Sequence, residues 1–170
     1  MELTSREWWG LIHGMVLGAL FLLGFAGGLA ELHGLRPAAE TPAGLRRSAR
    51  RLGLGVTSMA VAAWGTVITG TWIVYPWYRE KVPSSPRSVI LGDPATEQWH
   101  TFAMEWKEHI AWLSPLLATA VAFLVLYYRV GLARNDRLRR VAMGLFIAAF
   151  ATAAVAGTFG ALITKVAPVQ

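Results

Sequence analysis

Four histidines, His13, His33, His100 and His109, stand out as candidates for chemistry in this 170-residue chain, which contains no cysteine. Without thiols, disulfides and iron–sulfur clusters are excluded, and oxygen, imidazole and thioether donors remain. His13 stands in an uncharged stretch, one turn beyond Trp8-Trp9 and flanked by Gly10 and Gly14. His109 follows Glu105, Lys107 and Glu108 at the head of another uncharged stretch. Two neutral imidazoles at one depth on neighbouring helices, with glycine relief beside one of them, suit the axial positions of a six-coordinate porphyrin iron. His100 is the rival second ligand; nine residues before His109, it would point to the opposite face of a continuous helix, about 13 Å away along the axis. His33 follows His13 by 20 residues and is expected at an interface, favoured by the dipole of a helix C-terminus.

Carboxylates and guanidinium groups surround this set. Glu105 and Glu108 are candidates to accept the proton released by a quinol beside an electron carrier; their bland alternative is a solvated helix face. Arg79 and Arg87 are candidates to pair the porphyrin carboxylates, since guanidinium binds carboxylate bidentately. His100, Met104, Glu105, Glu108 and His109 also suggest a porphyrin-free divalent site, but helical geometry spreads them over several faces.

The elements that must position these residues follow from composition. The chain is 55% hydrophobic and 15% charged, with mean hydropathy +0.44, against about 25% charged in soluble domains. Charged residues avoid 8–30, 52–78, 110–128 and 141–164, windows of 23, 27, 19 and 24 residues. A helix needs roughly 20 apolar residues to cross about 30 Å of hydrocarbon. The expected fold is therefore an all-α integral membrane protein, a four-transmembrane-helix bundle in one domain over 1–170. Its spans fall at about 8–32, 52–75, 108–129 and 141–164, with a loop carrying an amphipathic helical extension at about 76–107. The first apolar run lacks a preceding basic segment and reads as an uncleaved helix.

Orientation follows from the basic residues. The first loop holds Arg36, Arg46, Arg47, Arg50 and Arg51, and the third holds Arg129, Arg134, Arg137, Arg139 and Arg140, together 10 of 16. Both loops are expected in the cytoplasm and both termini outside it. The net charge of +6 and pI near 10.3 then report topology and argue against a nucleic-acid partner. Seven of the eight tryptophans fall toward the outer face, more than a two-sided interfacial belt requires.

Local signals refine the picture. Pro76 is expected to end the second span, Pro83 and Pro86 to keep the chain extended, and Asp93-Pro94 to start the third helix. Trp99, Phe102, Trp106, His109 and Leu113 then share one stripe, read as facing inward, with Glu97, Glu105 and Glu108 off it. Ser114-Pro115 predicts a kink. Small residues at Gly10/Gly14/Gly18, Gly24/Gly28 and Ala149/Ala153/Gly157/Ala161 allow backbones or a flat ligand to approach.

This arrangement resembles small four-helix membrane b-type cytochromes, subunits that pass electrons between quinone and a partner redox protein. The resemblance rests on His13 in the first helix, His109 in the third, the glycine-rich faces, the aromatic outer ends and the arginine loops. It implies one haem b near the outer leaflet, in a multi-pass electron-transfer subunit of the bacterial cytoplasmic membrane. Other subunits of a redox complex, quinone and an extracytoplasmic electron carrier would be its partners, with the bilayer around it. The chain departs from the two-haem pattern, in which four histidines serve both leaflets. The competing reading is a cofactor-free scaffold of a respiratory or photosynthetic complex, and chlorophyll on His13 is a variant of the first.

Overall fold

A computed structural model describes residues 2–36 and 41–168, all of its regular structure helical. Helices α1 (Ser5–Gly34), α2 (Pro42–Tyr78), α4 (Trp99–Arg134) and α5 (Asp136–Val166) are each long and apolar enough to cross a membrane. A short helix α3 (Pro86–Gly92) lies between α2 and α4. The four long helices run up and down, so Ser5, Tyr78, Trp99 and Val166 lie at one end of the bundle and Gly34, Pro42, Arg134 and Asp136 at the other, the arginine end. Arg6 of α1 pairs with Glu80 at 2.6 Å, and Ile163 and Ala167 pack with Tyr78, Ile90 and Met104 at that terminal end.

Packing is tightest toward the arginine end. A Cβ on Gly24 would lie 2.9 Å from Met59 Cβ and 3.1 Å from the Gly55 carbonyl oxygen, and one on Gly28 would lie 2.8 Å from Phe146 Cζ. These glycines let α1 sit directly on α2 and α5. Phe25 stacks on Phe150 with centroids 4.2 Å apart, and Phe21 continues the stack at 6.5 Å. Arg139 closes this end from within the protein, donating to the Leu35 and Ala133 carbonyls at 3.0 and 3.3 Å and pairing with Asp136 at 2.7 Å.

The terminal half is irregular. Wider π-helical turns occupy Ile12–Val16, Gly70–Val74 and Trp99–Met104. α2 ends at Tyr78, within the segment Tyr75–Arg79 expected to stop it, with Pro76 inside its last turn; the π turn immediately before Pro76 absorbs the missing N–H and the bulk of the ring. Pro86 is the first residue of α3, capped by the Ser85 hydroxyl, so the segment expected to be extended is partly helical. Asp93 caps a tight turn instead of a helix, accepting from Ala95 N at 2.8 Å, and α4 begins later, at Trp99. Regular helix in α4 breaks at Ala111–Trp112, one turn before Pro115, whose ring cannot donate back to that turn.

The stripe on α4 faces opposite to expectation. Phe102, Trp106, His109 and Leu113 are exposed, and of the stripe only Trp99 packs inward, against the cluster of Tyr78, Ile90 and Met104; Met104 is buried, and Lys107 and Glu108 are half-buried against the other helices. In water an apolar stripe marks the core; in hydrocarbon the apolar side meets lipid and polar groups turn inward.

Candidate functional site

A cavity of about 1430 Å³ opens between the four helices in the terminal half, larger than the roughly 300–1,000 Å³ usual for small-molecule pockets. Its cause is local. Gly10, Gly14 and Gly18 on α1 and Gly157 on α5 line it, and a Cβ on any of them would meet nothing within 4 Å. The small-residue motifs thus divide by depth: Gly24 and Gly28 seat α1 on its neighbours, while the shallower glycines bound empty space. Phe21 and Phe150 line the cavity where the aromatic stack begins.

Both His13 and His109 line this cavity. His13 is carried on the π turn Ile12–Val16, and its Nδ1 lies 3.0 Å from the Thr69 hydroxyl. That hydroxyl donates to the Gly65 carbonyl at 2.7 Å, so its oxygen accepts from Nδ1–H. Gly70 lies against the same ring; a Cβ there would be 2.8 Å from His13 Cε1. His109 Nδ1 donates to the Glu105 carbonyl one turn earlier at 2.7 Å, and the residue is exposed. In both residues Nδ1 faces an oxygen, and the His13 ring also meets the Thr66 backbone carbonyl. This is the second-shell arrangement that orients an imidazole for metal ligation.

His100 sits elsewhere. It is buried, holding the Tyr78 hydroxyl at Nδ1 (3.0 Å) and receiving Arg87 Nε at Nε2 (3.2 Å), so both ring nitrogens are taken within the protein. His33 is exposed at the end of α1, in the opposite half of the bundle. Among the described residues no three His, Asp or Glu side chains converge as a metal site.

The charged candidates form a network at the rim. Arg79 donates to Glu105 at 2.8 Å, lies 3.9 Å from Glu108 and covers the Tyr75 ring at 4.8 Å. With Arg87 on His100, both guanidinium groups expected to pair porphyrin carboxylates are engaged by the protein itself. Glu108 Oε2 accepts from the Tyr75 hydroxyl at 2.9 Å, while its Oε1 is buried with no hydrogen bond. Lys107 is a cation of the cavity wall that makes no ion pair among the described residues; Gly160 makes room for it, since a Cβ there would lie 3.1 Å from Lys107 Cε. Of the tryptophans, Trp77 and Trp112 line the cavity, whereas Trp8, Trp72 and Trp106 are exposed.

Thr69, Tyr75, Tyr78 and Lys107 are the site residues that the sequence did not single out. Thr69 follows one turn after Thr66 in an apolar helix, where a hydroxyl that also reaches a neighbouring helix is a legible signal. In chemical type the lining suits haem b: two imidazoles with Nδ1 against an oxygen, glycine faces that leave space, and a lysine without an ion pair among the described residues. Compared with protein-family models, curated proteins and solved structures, the chain matches none.

Proposed function

We propose that this chain is the haem b-carrying membrane subunit of a bacterial redox complex, exchanging electrons between quinone and an extracytoplasmic partner. The observation that carries the reading is the pair His13 and His109, which line one cavity with Nδ1 of each held by an oxygen acceptor. When bound, haem b supplies a one-electron iron couple.

The chain's own residues do the rest. His13 and His109 would hold the haem iron through Nε2, with Thr69 and the Glu105 carbonyl orienting the two rings through Nδ1. Lys107, rather than Arg79 or Arg87, would pair with a haem carboxylate. Glu108, whose Oε1 is unpartnered, accepts a proton released in the cavity, and Glu105 with Arg79 links it to the surface. The positive-inside bias puts the arginine end in the cytoplasm and the cavity in the outer leaflet.

A second reading, a scaffold docking its partner through the exposed Phe102, Trp106 and Leu113, is favoured by their outward orientation, because aromatic residues are enriched at interface cores. Reduced-minus-oxidised absorption of the detergent-purified protein separates the two. The first predicts a haem b band; a folded protein without one supports the scaffold and rejects haem.

A further inference from the structure

Tyr78 and Glu108 each leave one hydrogen-bonding position unfilled in the wall of the cavity. Arg87 Nε donates to His100 Nε2 at 3.2 Å, and a guanidinium has no lone pair to accept with. The imidazole therefore presents its lone pair at Nε2 and carries its proton on Nδ1. That proton is given to the Tyr78 oxygen, 3.0 Å away. The Tyr78 O–H is turned away from His100, and no acceptor for it occurs among the described residues. Tyr78 lines the cavity.

Glu108 is the complement. Its Oε2 is occupied by the Tyr75 hydroxyl, its Oε1 is buried and unpartnered, and Arg79 at 3.9 Å is beyond hydrogen-bond reach of that atom. Glu108 also lines the cavity. A directed donor and an open acceptor thus share one wall, and leaving each unmade costs about 1–3 kcal/mol.

We propose that Tyr78 and Glu108 form a subsite for a ring hydroxyl, which accepts from the Tyr78 O–H and donates to Glu108 Oε1. Tyr75 and Tyr78, stacked at 6.4 Å and 14°, bring two aromatic rings beside these groups, and Gly, Ala, Val and Phe residues also line the cavity. The ligand class is a quinol or phenol with an apolar body. His100 and Arg87 are positioning residues, fixing the direction of the Tyr78 proton. The assignment rests on the proposed function only in taking quinol as the class of substrate; its test reads binding, not electron transfer.

The test is a titration of the purified protein, under reducing conditions, with a short-chain benzoquinol and with its dimethyl ether, read by quenching of the cavity tryptophans Trp77 and Trp112. The ether retains the ring and loses the donated proton. The quinol is expected to bind about tenfold or more tightly than the ether, as one charge-assisted hydrogen bond predicts. Glu108→Gln and Tyr78→Phe should each remove most of that preference without shifting the thermal unfolding midpoint by more than a few degrees. Equal affinities in the unsubstituted protein, as when water alone fills the subsite, would overturn the proposal. So would a preference that survives both substitutions. The haem spectrum of the same samples is read separately: quinol preference without a haem band leaves the subsite standing and rejects the electron-transfer reading.

Discussion

His13 Nδ1 lies 3.0 Å from the Thr69 hydroxyl. With its proton on a backbone carbonyl, of Gly65 or of Thr66, the threonine accepts from the ring, and one α2 residue then orients an α1 imidazole. Thr69→Val keeps the shape and removes the acceptor. Loss of such an outer-shell partner typically costs about 10–100-fold in metal affinity. Haemin titration followed by absorbance should show weakening in that range for Thr69→Val and near-normal binding for Thr69→Ser.

The glycines of α1 should separate into two functional groups. Gly24→Ala and Gly28→Ala bring a Cβ against Met59, the Gly55 carbonyl and Phe146, and overpacking of this kind costs about 1–3 kcal/mol. Gly14→Leu meets open space at its Cβ, so its thermal unfolding midpoint should hold while its haem loading falls. Thermal unfolding in detergent together with the haem-to-protein ratio reads both effects.

The spans were legible in the sequence because a run without charge has one interpretation at membrane thickness. The direction in which α4 faces was not. The spacing of Phe102, Trp106, His109 and Leu113 defines a stripe correctly, but spacing alone is blind to whether solvent or lipid lies outside it, and here the stripe is the exposed side. His13 was legible as an isolated imidazole in an apolar helix. A pairing of Arg79 with Glu108 was legible from their charges, whereas the engagement of Arg87 by His100 was not, because the two lie on different helices. The π turn before Pro76 also escaped, since a proline reads as a stop unless a neighbouring widened turn makes room for its ring.

Sidedness is testable because the chain has no cysteine. Gln98→Cys at the terminal end and Ala43→Cys at the arginine end are both on exposed residues. In intact cells a membrane-impermeant maleimide should label the first and leave the second unmodified until the membrane is opened. The reverse pattern would put the cavity in the inner leaflet.

Arg139 should matter for folding alone. It satisfies the Leu35 and Ala133 carbonyls from inside the arginine end, and buried acceptors left unmade cost about 1–3 kcal/mol each. Arg139→Met should lower the unfolding midpoint in detergent, whereas Arg137→Met, on an exposed residue, should leave it unchanged.

The most direct test of the central claim, that His13 and His109 hold one haem, is the low-spin haem spectrum of four single variants purified in parallel. His13→Ala and His109→Ala should each abolish the low-spin signature. His33→Ala, in the opposite half of the bundle, should leave it intact, and so should His100→Ala, whose two ring nitrogens are engaged by Tyr78 and Arg87. A low-spin haem that survives His109→Ala but is lost with His100→Ala would contradict the assignment.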